Sequence, residues 1–265
     1  MTMDAARPRS APGAPSNPAA GPAGRGVLVA SLMTAVALAI LVALGLWQLE
    51  RKNWKEALIS TLEQRLAANA VALPPPAEWG RLEAGRDEFL RVDFAAQFLN
   101  DKEALVYTTG SSMRADTGGP GYWVFTPARL GDGHIVMVNR GFVPEGRQDA
   151  ATRRAGAVSG PIEITGVLRW PEPPGLFTPA GDPVRNIWFS RDSAAMAAAK
   201  DVADAAPFYV EMEIPVPSGG LPHPGRVQPS LPNNHLQYAL TWLGRAAVLV
   251  GVYTAWMFGR WRGRD

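Results

Sequence analysis

The sequence predicts a membrane protein of the α+β class. Two transmembrane helices flank a mostly antiparallel β domain, barrel-like or a rolled sheet, with one or two helices of its own. Three observations predict it. Gly26 to Leu49 and Leu236 to Gly259 are apolar runs of 24 residues, the first without a charge and the second interrupted only by Arg245. Between them the hydrophobic pattern has period two, which sends alternate side chains to opposite faces of a strand. The 27 glycines and 24 prolines fall mostly outside the runs and mark the many turns of an antiparallel chain rather than a parallel α/β sheet.

The elements follow in order. Residues 1–25, with Pro8, Pro12, Pro15, Pro18 and Pro22 among Ala, Gly and Ser, are expected to be a disordered cytoplasmic tail, since they have too little to bury. The prolines also prevent the amphipathic helix of an organellar transit peptide. Residues 26–49 make the first span, because 24 helical residues cover about 36 Å against a hydrocarbon core of about 30 Å. The run is too long for a signal peptide and leads into the bulky, charged "WQLERKNWK", so it reads as an uncleaved anchor. Trp47, Arg51, Trp54 and Leu58 recur at i, i+4, i+7 and i+11, which continues the helix outward to about residue 68 and sets both indoles near headgroup depth. "ALPPPAEWG" (72–80) ends it.

Residues 69–233 form the outer domain. Strands are expected at 89–99, 104–109, 122–130, 134–143, 161–170 and 208–214, with a three-residue hairpin at "GDG" (131–133). "SRDSAAMAAAK" (190–200) predicts a helix capped by Ser190 or Asp192. Residues 234–259 make the second span and 260–265 a short tail. Arg245 stands near its middle, at a cost of about 2.5–3.5 kcal/mol that the surrounding Leu, Val, Ala, Tyr and Trp offset. Asn234 and Gln237 read as a capping box, which places His235 in the first turn at the outer interface.

Charge and composition exclude several classes. Outside the runs Arg7, Arg9, Arg25, Arg260, Arg262 and Arg264 face only Asp4 and Asp265, while the chain between is slightly acidic. That is no nucleic-acid surface, and it sets both termini inside with the domain translocated. Arg51, Lys52 and Lys55 on the outer side are diluted by Glu50 and Glu56. The absence of cysteine removes disulfides, thiol catalysis and thiolate metal sites. No Gly-x-Ser-x-Gly elbow exists, "GAVSG" (156–160) being out of register, and no glycine-rich loop ends in Lys-Ser/Thr. The three histidines are scattered, which opposes zinc and leaves copper only separated residues such as Met212 and His223.

His134 after "GDG" and His223 in "LPHPG" read as loop residues. His235 differs, because Tyr238, Trp242 and Arg245 lie within about 80° of it on the helical wheel, a polar and aromatic stripe on an aliphatic helix. Two accounts remain open from the residues. The stripe anchors the interface and packs on Trp47, Gln48 and Arg51, or a neutral imidazole there coordinates haem iron, with Arg51, Lys52 and Lys55 near its carboxylates.

"LGLWQLERKNWK" (44–55), "GPGYWVFTPARL" (119–130), "VNRGFVP" (138–144), "GVLRWPE" (166–172) and "LPNNHLQYALTWLG" (231–244), in that order between two spans, resemble the surfeit locus protein 1 family. The resemblance covers about Leu44 to Tyr253 and implies a non-enzymatic assembly factor for haem-copper cytochrome c oxidase in a bacterial inner membrane, with the domain periplasmic. It implies haem a as cargo, the haem a synthase and oxidase subunit I as partners, and contact with membrane lipid. By the same resemblance His235 is the ligand of the haem iron, and Trp47, Arg51, Trp54 and Lys55 match the family's tryptophan and basic residues; the stripe on the second span makes Tyr238 and Trp242 the walls, with Arg51 and Lys55 as propionate partners. Gly119, Pro120 and Gly121 are expected to set the domain's most exposed turn. Arg245 departs from the apolar residue expected after "TWLG". Copper delivery and a cofactor-free scaffold are the rival readings.

Overall fold

A computed structural model describes residues 22–111, 114, 116–172, 174–229 and 231–263; the expected N-terminal tail up to residue 21 and the last two residues lie outside this range. The chain divides into two compact units. One comprises Lys55–Pro232, and the other takes the first helix as far as Trp54 together with the chain from Asn233.

In the larger unit, period-two sequence becomes strand. In β2 (Arg91–Phe98) Val92, Phe94, Ala96 and Phe98 point inward and their neighbours outward. The other strands are β1 (Val71–Ala72), β3 (Ala104–Thr108), β4 (Gly121–Leu130), β5 (Ile135–Pro144), β6 (Pro161–Arg169), β7 (Ile187–Trp188) and β8 (Ala205–Ile214), and a one-turn helix, α2 (Ala84–Asp87), precedes β2. All six expected strands form, and the two-residue β1 and β7 are added; runs that short carry no periodicity to read. The order β2–β6–β8–β5–β4 returns to β2 through the pairs Ala96 with Leu130 and Phe98 with Ala128, so the sheet closes on itself. β4 makes this possible by dividing one edge between β3, at Gly121–Phe125, and β2, at Ala128–Leu130. Closure removes the open edges of a sheet.

The barrel is filled by Val92, Phe94, Phe98, Ile164, Phe208 and Val210 among others, with Trp79 packed on it. A second core lies on the outer side of β4, β5 and β8, where Trp123, Phe125, Met137 and Tyr209 meet Trp188 and Met196. These strands are buried on both faces, which is why "HIVMVNRGFV" is nearly continuous in apolar residues. Each large side chain so buried contributes about 1.5–3 kcal/mol. Met196 comes from α3 (Ser193–Ala199), whose cap is Asp192, its carboxylate accepting from the Ala195 amide at 3.0 Å. The "GDG" turn closes as a hairpin with the Leu130 amide donating to the His134 carbonyl at 2.8 Å and Gly133 at φ 92°.

The expectation of antiparallel pairing holds for most neighbours, but β5 and β8 pair in parallel, as do the two-residue β1 with β2 and β7 with β3. Between β5 and β8 the chain returns through β6, which pairs antiparallel with β8, so the two parallel strands are not joined by a hairpin. A buried arginine of β5 helps to hold this frame. Arg140 of "VNRGFVP" lies over the Phe98 ring at 4.3 Å and donates to Asn100 Oδ1 at 2.9 Å and to the Gly156 carbonyl. Burial pulls its guanidinium down to about 10.

The smaller unit is a helix pair. α1 (Pro22–Ala67) is unbroken and continues past Trp54 into the larger unit, and α4 (His235–Arg262) runs antiparallel to its first part. Partly or fully buried positions recur at Ser31, Thr34, Leu38, Leu41, Gly45 and Gln48 on α1 and at His235, Ala239, Trp242, Ala246, Leu249 and Tyr253 on α4. Alternating steps of three and four are the heptad spacing of paired helices. Ser31 Oγ meets Tyr253 Oη at 2.5 Å near one end, and Gly45 lets Leu243 approach further along. Among the described residues α1 is the one helix long and apolar enough to cross a membrane by length and composition. In α4 every stretch of comparable length contains Arg245 or the terminal Arg260 and Arg262. The expected capping box does not form. Asn234 has φ −92° and ψ 8°, away from the extended geometry that turns a cap side chain onto the first amides, and makes no side-chain cap bond.

Candidate functional site

His235 is the first residue of α4 and is half-buried against α1. Its Nδ1 lies 2.7 Å from Gln48 Oε1. A carboxamide oxygen only accepts, so Nδ1 donates, and in the neutral imidazole this tautomer leaves the lone pair on Nε2. Metal-binding histidines are fixed in this way, with the second nitrogen donating to an oxygen acceptor that sets tautomer and ring orientation.

The flanks beside this contact are open. Tyr238 is 55% exposed, and Arg245 is exposed with its guanidinium carbon 5.1 Å from the Trp242 ring centroid. On α1, Trp47 and Trp54 are each 54% exposed, and the Arg51 guanidinium lies 4.1 Å from the Trp54 ring centroid. Using 100° per residue, Trp47, Arg51 and Trp54 lie about 60–120° from Gln48, and Tyr238 and Arg245 about 60–80° from His235, in the same sense. Two antiparallel right-handed helices facing through Gln48 and His235 then open both flanks on one side of the pair. His235, Tyr238, Trp242, Trp47, Arg51 and Trp54 are thus brought to one side of the helix pair. Lys55 belongs to the larger unit, where its ammonium donates to the Pro232 carbonyl.

The other histidines are occupied structurally. His134 is exposed, edge-on to Trp79 with centroids 5.7 Å apart. His223 exchanges backbone hydrogen bonds with Phe142 at 2.8 and 2.9 Å, and its Nε2 is 3.4 Å from Asp116 Oδ2. Among the described residues no three His, Cys, Asp or Glu side chains cluster as metal ligands.

Sequence reasoning missed a buried charge cluster in the larger unit. Glu211 Oε2 stands 3.8 Å from Arg169 Nη1 and 3.7 Å from Arg191 Nη1, while Glu172 lies 3.0 Å from Arg169 Nη2. Burial opposes the charge on Arg191, but Glu211, Tyr209 and Glu172 together outweigh it and hold the guanidinium above its ordinary value. Burial likewise pushes the Tyr209 phenol up to about 12. The available signal was "FYVEMEI", a strand whose apolar run is broken by acids.

A profile of the SURF1 family matches residues 35–247, from the middle of α1 to just past Arg245 in α4. The chain belongs to the SURF1 family. It is 35% identical over 228 residues to a SURF1-like protein of Monosiga brevicollis, covering 83% of each chain. It is 35% identical over 216 residues to surfeit locus protein 1 of Homo sapiens, covering 77% of this chain and 69% of the relative. A SURF1-like protein of Drosophila melanogaster is 34% identical over 217 residues, with 77% and 69% covered. The region shared across the SURF1 family therefore includes both half-helices that meet at Gln48 and His235.

Proposed function

We propose that this SURF1-family chain is a non-enzymatic assembly factor for haem-copper cytochrome c oxidase. It takes haem a from the haem a synthase as cargo and helps its insertion into oxidase subunit I. One observation carries the reading: the Gln48 carboxamide oxygen holds the His235 Nδ1 proton and leaves Nε2 free to bind iron. Imidazole nitrogen is a usual axial ligand of haem. Tyr238 and Trp242 supply aromatic walls, and Trp47 and Trp54 supply the same on α1. Arg51 is the cation for the propionates. Lys55, expected beside it, has its ammonium on the Pro232 carbonyl, so the Arg51 guanidinium is the better propionate partner.

In this reading both α1 and α4 span the inner membrane of a bacterium. Arg25, Arg260 and Arg262 lie at one end of the antiparallel pair, which supports placing both termini in the cytoplasm and the β domain in the periplasm.

The test is the absorption spectrum of the detergent-purified chain after co-expression with haem a synthase. The native protein is expected to carry a haem a band that His235→Ala abolishes. Gln48→Leu is expected to weaken retention about 10- to 100-fold, the usual cost of losing an orienting partner. If no band forms and His235→Ala leaves oxidase assembly intact, the chain is a scaffold. Copper bound independently of haem supply would make it a metal-delivery protein.

A further inference from the structure

Resting on the reading that α4 spans a bilayer, we propose that Arg245, on the open flank of α4, docks a partner's transmembrane helix carrying a carboxylate at mid-membrane depth. Arg245 stands ten residues from His235 and fifteen from Arg260, about 15 and 22 Å along the helix axis. Both distances are well beyond an arginine side chain, so the guanidinium does not reach either interface by snorkelling. Lipid phosphates are out of reach for the same reason.

Arg245 is exposed on the flank that α1 leaves open, and its contact within the helix pair is the Trp242 ring at 5.1 Å. Among the described residues no ion pair reaches it, and neither apolar run contains Asp or Glu. Such a charge at membrane depth ordinarily faces a protein interior and pairs with a carboxylate. Charge complementarity also excludes a second copy of this chain, whose spans offer no acid.

Tyr238 and Trp242 stay with the haem, and Arg245, two turns past Tyr238, meets the partner helix beyond them. A haem propionate offers the same carboxylate chemistry. Arg245 is about 15 Å from His235 along the axis, whereas Arg51 lies one turn from Gln48, so the propionate is assigned to Arg51 and the partner's acid to Arg245.

The full chain is reconstituted in liposomes, and energy transfer is measured to a synthetic Leu-Ala transmembrane helix with one central Glu and to the same helix with Gln. The native chain is expected to associate at least about tenfold more tightly with the Glu helix. Arg245→Leu is expected to remove the difference and Arg245→Lys to keep part of it. Equal affinity of the native chain for both helices, or undiminished preference in Arg245→Leu, overturns the proposal. The haem a band of Arg245→Leu should match the native one; its loss would assign the carboxylate to the propionate and also overturn the proposal.

The spanning reading is checked separately in the same cysteine-free chain. Gly263→Cys and Ser218→Cys are labelled with an impermeant maleimide in sealed vesicles. Labelling from opposite sides with no Glu preference defeats docking alone, whereas labelling from one side defeats the spanning reading itself.

Discussion

Glu211 is 1% exposed and stands between two guanidiniums on a strand buried on both faces. Glu211→Gln keeps the shape and removes the charge, leaving Arg169 and Arg191 without a carboxylate between them. Breaking a buried pair in this way costs about 3–5 kcal/mol. Thermal unfolding of Glu211→Gln is therefore expected to fall well below native, while Glu172→Gln, at a side chain 49% exposed, loses much less. Gly141 is a second position where one atom decides the outcome. It has φ 119°, and a Cβ there would lie 2.1 Å from the His223 carbonyl oxygen. Backbone cannot move aside as a flexible side chain does, so Gly141→Ala is expected to destabilise by at least about 2 kcal/mol in the same measurement. At this scale the sequence was legible in part. The position of His235 ahead of an apolar run singled it out and named Gln48 with Trp47 and Arg51 as neighbours of its stripe, but which of the three orients the imidazole depends on which turn of α1 faces it. Helical periodicity alone leaves that open.

The elements themselves were more legible, because burial imprints its period on the residues. Six strands and α3 were readable from alternation and capping, and only β1 and β7 were too short. Pairing partners were not readable. Period two states which face is buried and is silent on which strand lies beside it, so the parallel β5–β8 pair left no mark. The helix pair shows the same limit. The heptad steps are present in both apolar runs, yet aliphatic residues around them hide the stripe until the two helices are placed together. Gly45 tests this packing. An ideal Cβ there lies 2.8 Å from Leu243 Cγ, and the Cβ of Leu243 is one bond beyond, close to the roughly 3.5–4.5 Å between Cβ atoms in a disulfide. In a chain with no native cysteine, Gly45→Cys with Leu243→Cys is expected to oxidise to an internal disulfide. Gly45→Cys with Leu240→Cys, on an exposed face of α4, is not. Equal yields by non-reducing electrophoresis would mean that α1 and α4 do not pack through Gly45.

Across the whole molecule the titrating groups of the β domain set the pH range in which it stays folded. Hydrogen bonds from Arg114 hold the Asp116 carboxyl below its ordinary value against some desolvation, Arg86 does the same for Asp87, and the His134 amide for Asp132. A carboxyl whose folded-state value is depressed adds stability that is fully present above its unfolded value near 4 and is lost as pH falls through the lower folded one. Asp116 matters most among them, because its partner Arg114 is fully buried and also donates to the carbonyls of Gly225 and His223, tying the turn before β4 to that loop. Tyr209 bounds the other side. With its folded value pushed up to about 12, its contribution is intact below about pH 10 and is lost as pH rises through 12. The unfolding midpoint of the purified full chain is thus expected to fall on the acid side below about pH 4 and on the alkaline side above about pH 10. Asp116→Asn should lower the midpoint at neutral pH and shrink the acid drop, since it removes the charge that Arg114 holds. Asp132→Asn, at an exposed hairpin, should leave the neutral midpoint nearly unchanged. An acid limb identical in native and Asp116→Asn chains would show that the Arg114 contact carries no charge-linked stability and that the drop belongs to other carboxylates of the domain.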